Sequence, residues 1–360
     1  MMAAGEGIAM DRRIGRLSRR RLLMGAGAVG LGAAGMIVSA GVGRLPFQTP
    51  APPPTRVYRV GYLAPSGVAP EALARELEKL GYVEDQNLVL DARLLRYRSS
   101  YLQDESRLSD LAAALVHQQP DVIVTPTTPA TRQARSKTST IPIVMRTPAD
   151  PVASGLVESL ERPGGNVTGI TTNIGGELLT KRLALLKAVV PTLSRVATFV
   201  PLGSESGATS LARAQAATEE VGLELRAVTL RSAEDLEGAE ELQEALGAST
   251  AESAQAILLM SVTGARRMED LALRSGLPTM GRSRRFVEAG GLMSYGPSET
   301  ETTQRLAAYV DRILQGARPA DIPVEQPTTF DFVINQKAAA ALGVAFPRDV
   351  LSQVTAVVDH

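Results

Sequence analysis

From Val57 onward the chain alternates short apolar runs with stretches where apolar residues return every three or four positions. Residues 57–63 read as a strand, and Leu73, Leu77 and Leu80 then share one helical face that Gly81 ends. A strand follows at 87–94, and Leu108, Leu111 and Leu115 mark the next helix. Val122, Ile123 and Val124 form a short buried strand. A helix from about Ala130, a strand at 142–145 and a helix at 153–160 come next. Pro163, Gly164 and Gly165 make a turn.

The rhythm then restarts. Leu179, Leu183, Leu186 and Val190 lie on one helical face, and 195–200 reads as a strand. Helices at 207–221, 236–246 and 265–275 are interleaved with strands at 224–229 and 257–260. Short apolar strands alternating with amphipathic helices predict an α/β fold whose parallel sheets are covered on both faces. Two successive runs predict two such lobes. No sequence repeat of solenoid type is visible.

The residues ahead of this pattern are of another kind. Residues 1–40 carry six arginines and two acids, and residues 24–40 carry no charge. Seventeen residues with five glycines make a poor membrane span, which needs about 20 strongly apolar positions. A basic start, a short apolar stretch and the small residues Val38, Ser39 and Ala40 describe an export signal, with an uncleaved anchor as the alternative. Ser18, Arg19, Arg20, Arg21, Leu22 and Leu23 resemble a twin-arginine signal, which would take the protein to the periplasm or another extracytoplasmic space. Residues 41–55 hold Pro46, Pro50, Pro52, Pro53 and Pro54 and read as an extended tether. The G-x-G-x-x-G spacings at 25–30 and 30–35 follow an arginine cluster, not a strand, and carry no dinucleotide meaning.

Composition removes several chemistries. The chain has no Cys, no Trp and only two His, His117 and His360. Thiolate catalysis, disulfides and multi-histidine metal sites are therefore excluded or nearly so. After residue 40 there are 32 basic and 36 acidic residues, a net charge of −4, which leaves no electrostatic footprint for nucleic acid. Gly203–Gly207 has Glu205, not Ser, at its centre, so it is no nucleophile elbow. His117 reads as a surface residue near a helix C-terminus. Arg282, Ser283, Arg284 and Arg285 read as a solvated face rather than an anion site. No catalytic residue, metal or cofactor is expected.

In open α/β sheets ligands lie beyond the carboxyl ends of the strands. The loops to examine are 64–68, 126–131, 146–151, 201–207 and 261–264. Thr127 and Thr128 open a helix, where free amides suit a carboxylate; Thr128 as an ordinary N-cap is the alternative. Asp150, at a strand end, suits a ligand ammonium or a helix cap.

Motifs spread over the body carry a resemblance. They are LGYVEDQNLVL at 80–90, PDVIV at 120–124 with TPA at 128–130, TIPIV at 140–144 and DPVASGLV at 150–157. RPGGNVTG at 162–169, KRLALLK at 181–187, GGLMSYG at 290–296, VEQPTTF at 324–330 and INQKA at 334–338 continue it in order. Together they resemble the ABC-transporter substrate-binding proteins of type I periplasmic-binding fold, whose better-understood members bind aromatic amino acids. Residues 94–105 and the loop 64–68 depart from that family's pattern, so the ligand does not carry over.

The resemblance implies two Rossmann-like lobes joined by a three-strand hinge, with crossings near 166–172, 292–295 and 329–334. One lobe would comprise 56–168 and 296–328, the other 169–295 and 329–360. A helix at 300–314, with Leu306, Val310, Ile313 and Leu314 at helical spacing, would return to the first lobe. Ser66, Thr128, Asp150, Asn173 and Tyr295 would face the cleft. Thr127, Thr128 and the Ala130 amide would hold a carboxylate. Tyr295 would pack on the ligand or serve as hinge core. Ser204 and Thr263, on strand-end loops of the second lobe, complete the candidates. The implied protein is a monomeric solute receptor that delivers a small polar ligand, with amino acids among the candidates, to an ABC permease in the membrane. A ligand sensor of the same fold signalling to a membrane partner is the alternative. Residues 1–55 lack the helix-turn-helix of a repressor, and no base, metal or dinucleotide loop supports an enzyme.

Overall fold

In the computed structural model, the first sheet is built from β1 (Tyr58–Pro65), β2 (Leu88–Leu95), β3 (Val122–Thr125), β4 (Ile143–Thr147) and β5 (Val167–Thr171). Its order is β2-β1-β3-β4-β5, and every neighbouring pair is parallel. The described residues are 56–65, 70–95, 101–147, 150–173, 175–201, 205–230, 239–247, 253–260 and 265–359. All lie in one unit, Pro52–His360. The signal and tether expected over 1–55 lie outside them.

The second sheet contains β6 (Arg195–Pro201), β7 (Glu224–Leu230), β8 (Ala256–Leu258), β9 (Thr279–Gly281), β10 (Met293–Pro297), β11 (Phe330–Asn335) and β12 (Ala356–Val358). Its order is β12-β11-β10-β9-β8-β6-β7, with β10 and β11 antiparallel. The segment β7-β6-β8-β9-β10 repeats the winding of the first sheet strand for strand. Two predominantly parallel sheets form, as the apolar rhythm implied, and the β10–β11 pair is the one antiparallel neighbour among the named strands.

Each sheet has helices on both faces. In the first, Val60, Tyr62 and Val144 pack under α1 (Pro70–Lys79) and α9 (Glu299–Leu314) through Leu73, Leu77, Leu306 and Val310. Leu63, Ile123 and Met145 point the other way, under α2 (Tyr101–His117) and α3 (Thr128–Lys137). Alternation along each strand thus feeds two separate cores, and each buried aliphatic side chain contributes roughly 1.5–3 kcal/mol.

In the second lobe, α4 (Glu177–Val189), α5 (Glu205–Glu220), α10 (Gln336–Leu342) and α11 (Arg348–Leu351) cover one face. The other face carries α6 (Ala239–Ala245), α7 (Ala265–Arg274) and α8 (Arg284–Glu288). The ring of Phe286 fills the space that Cβ atoms would take at Gly281 and Gly291, 2.1 and 2.2 Å from it.

Residues 153–160 do not form the expected helix. Gly155 adopts φ 65°, and the amides of Leu156 and Val157 both turn back to the carbonyl of Pro151. Glu158 then bonds Pro163, so the chain reverses before a second helical turn can close. The elements missed by periodicity, β9, α8, α10, α11 and β12, are seven residues or shorter.

The chain passes between the sheets after Thr171, after Pro297 and at 326–329. The last passage is firmly tied. Glu325 bridges to β5 through bonds of 2.9 and 3.0 Å with Thr171 and Gly169. Arg305 of α9 pairs with Glu325 and, at 3.2 Å, with Glu301, and donates to the carbonyl of Gln326 at 2.9 Å. Glu301 in turn accepts from the Thr328 hydroxyl at 2.8 Å and the Thr329 amide at 3.0 Å. Burial works against the charge on Glu301, but these hydrogen bonds and Arg305 outweigh it and hold the carboxyl below the usual range. Gly169 has φ 133°, and a Cβ there would lie 2.1 Å from the carbonyl oxygen of Met145. No helix among the described residues is long and apolar enough to cross a membrane.

Candidate ligand site

The winding order reverses between β1 and β3, which puts the crevice at the carboxyl ends of those strands. A network of threonines closes that end. Thr125 and Thr131 share a 2.8 Å hydroxyl bond, and the Thr131 hydroxyl also donates to the Thr127 carbonyl at 2.9 Å. Thr127, extended at φ −145° and ψ 152°, is the N-cap of α3 and accepts from the Ala130 amide at 3.4 Å. The cap is therefore Thr127 and not Thr128, and the helix begins two residues before the expected Ala130. The hydroxyl of Thr128 instead meets that of Thr147 at the end of β4. Thr127 and Ala130 are buried, whereas Thr128 is half-buried.

Asp150 lies just past β4. One carboxylate oxygen accepts from the amides of Val152 at 2.9 Å and Ala153 at 3.0 Å, so it caps the turn that replaces the expected helix. Thr127, Thr128, Ala130 and Asp150 thus gather at neighbouring strand ends of the first lobe. Asn173 sits on the first passage between sheets. It accepts from Arg213 of α5 at 3.1 Å through its side chain, and from Gln326 at 3.0 Å through its carbonyl. It ties two passages and the second lobe together. Tyr295 stacks on Phe330 at 5.8 Å and meets Phe332 edge-on at 6.2 Å, across the β10–β11 pair. Ser66, Ser204 and Thr263 lie outside the described residues.

Three arginines bear on this region: Arg146 and Arg182, which the sequence reading passes over, and Arg282, which it places on a solvated face. Arg146 is half-buried next to Thr147 in β4 and shares a sheet face with Val144. Its charge acts on Tyr62, whose hydroxyl is pushed up to about 12, chiefly by burial. Arg282 follows directly on β9 and is half-buried, unlike the exposed Arg284 and Arg285. The solvated-face reading holds for that pair and fails for Arg282, because the buried Phe286 and Val287 pull the segment against the sheet. Arg182 of α4 is 3% exposed and donates Nε to the Tyr295 carbonyl at 2.6 Å. Burial and the neighbouring Arg282 push its guanidinium down to about 9. A charged residue in the otherwise apolar run at 143–147 is the one signal that marks Arg146 in the sequence. Among the described residues, no group of three or more His, Asp or Glu is placed to hold a metal ion.

The sequence pattern of the family described as ABC transporter substrate binding protein matches residues 73–358. A tyrosine-binding protein of Clostridioides difficile (strain R20291) is 23% identical over 288 residues, 76% of each chain. Among solved structures, a conserved domain protein from Vibrio cholerae O1 biovar eltor has a TM-score of 0.71 at 26% identity, over 84% of this chain and 100% of that one. An ABC domain in complex with L-Trp from Streptococcus pneumonia has a TM-score of 0.69 at 24% identity, with the same coverage.

Proposed function

The chain belongs to the ABC transporter substrate-binding protein family, which is one of binding proteins and not of enzymes, and on that footing we propose that it is the extracytoplasmic receptor of an ABC importer. It captures a small polar solute between two lobes, one built on the first sheet and one on the second, and presents it to a membrane permease. The observation that carries this reading is the cluster of Thr127, Thr128, Ala130 and Asp150 beside the point where the strand order reverses, a polar seat with no nucleophile–base pair in it.

The cap bond uses the Thr127 oxygen as acceptor and leaves its proton free to reach a ligand carboxylate, with Thr128 beside it. The second oxygen of Asp150 is the partner for an ammonium. The seat thus suits an amino acid, as the tyrosine- and tryptophan-binding relatives suggest. Ser66, Ser204 and Thr263 would contribute hydroxyls from the neighbouring strand ends, and Asn173 and Tyr295 would border the cleft at the passages between lobes.

Native mass spectrometry of the purified protein should show one small solute bound at 1:1. Asp150→Ala should release it. A cap alone costs stability, by about 1 kcal/mol, whereas a desolvated ligand contact costs about 2–5 kcal/mol of affinity. Unchanged affinity with a lowered melting temperature would reduce Asp150 to a cap.

A further inference from the structure

β4 and β9 hold the same place in the two matching winding orders, and each has an arginine at its carboxyl end: Arg146, the last but one residue of β4, and Arg282, immediately after β9. They stand on opposite lobes. Gly296 shows how tightly the second is set. A Cβ at that position would lie 2.3 Å from the Arg282 carbonyl oxygen and 3.3 Å from a terminal nitrogen of Arg182. The main chain of Arg282 and the side chain of Arg182 therefore both crowd Gly296.

The charges of Arg146 and Arg182 both reach Arg282. Its guanidinium is pushed down to about 10, first by burial and then by Arg146. Glu269 and Glu299 offset this from a distance, and neither is within ion-pair reach. Among the described residues, no hydrogen bond or ion pair engages the side chain of Arg146 or Arg282. Like charges gathered in a half-buried place without a counter-ion oppose folding unless something else supplies the negative charge.

We infer that Arg146 and Arg282 receive an acid group of the solute, one from each lobe, so that the cargo is an organic anion bearing a carboxylate or phosphate substituent. This rests on the reading of the chain as a solute receptor. Guanidinium forks match both oxyanions in geometry, and closing two of them on one acid group would link ligand charge to lobe closure.

The test uses the full chain and four probes: L-glutamate, O-phospho-L-serine, and the uncharged-side-chain comparators L-glutamine and L-tyrosine. One of the two acids should raise the melting temperature and bind by calorimetry more tightly than either comparator. Which acid does so separates carboxylate from phosphate. Arg146→Gln and Arg282→Gln should each weaken that probe by about tenfold or more. Solute-free Arg282→Gln should melt no lower than wild type, since it removes a repulsion and breaks no ion pair. Acid affinity that survives both variants, or L-glutamine or L-tyrosine binding as tightly as the acids, overturns the anion site and leaves the receptor reading standing. A clear drop in the solute-free melting temperature of Arg282→Gln overturns it too, because it would make that guanidinium structural.

Discussion

Arg182 and Tyr295 are joined by a 2.6 Å bond from the Nε of one to the main-chain carbonyl of the other, linking α4 to β10. The guanidinium is buried and has no carboxylate among the groups acting on it. Its long stem fills space, while its charge works against folding. Arg182→Met should therefore keep stability within about 1 kcal/mol of wild type, whereas Arg182→Ala, which opens a cavity, should lose about 2–5 kcal/mol. Urea midpoints decide it. Equal losses in both variants would mean the hydrogen bond, not the volume, matters.

Gly169 combines a left-handed backbone with close contact to β4. Gly343 has φ 64° but nothing near its missing Cβ. Gly343→Ala should cost about 1–2 kcal/mol, the ordinary penalty of that conformation. Gly169→Ala adds a collision with the Met145 carbonyl and should cost clearly more, about 3 kcal/mol or above. Comparable denaturation midpoints for the two variants would contradict the contact.

Glu301 is held below its ordinary carboxyl range in the fold. In the unfolded chain it titrates near pH ~4.3. A lowered folded value means the stabilisation is complete above that pH and is lost as pH falls through the folded value. Between pH 5 and pH 3, wild type should lose more stability than Glu301→Gln, whose amide does not titrate there. Parallel decline of the two proteins, followed by urea unfolding across that range, would refute the linkage.

Export is tested at the other end of the chain. With Arg19→Lys and Arg20→Lys together, the protein should remain in the cytoplasmic fraction, because a twin-arginine route reads the arginine pair itself and not its charge. Normal extracytoplasmic accumulation would reject that route.

Much of the scaffold could be read from the chain because strand and helix periods differ and each lobe alternates them. β1, β2, α2, α4 and α9 match their apolar patterns closely. Where apolar spacing failed, a local turn decided: 153–160 has helical spacing, but the left-handed Gly155 and the bonds to Pro151 close a loop first. Short strands such as β9, three residues long, carry too few positions to show a period. The threonine cluster was legible because capping chemistry is local to Thr127–Ala130. Arg282 was not. Its half-burial comes from Phe286 docking between Gly281 and Gly291, and from the approach of Gly296 fourteen residues later, neither of which a run of arginines announces.

Two frames wound in the same order but spelled in different residues divide the packing of the molecule into separate halves. Each half keeps its own core, so a core substitution in one lobe and another in the second disturb separate packing, and their effects on stability should combine nearly additively. Selection can then alter the packing of one half while the other stays as it was.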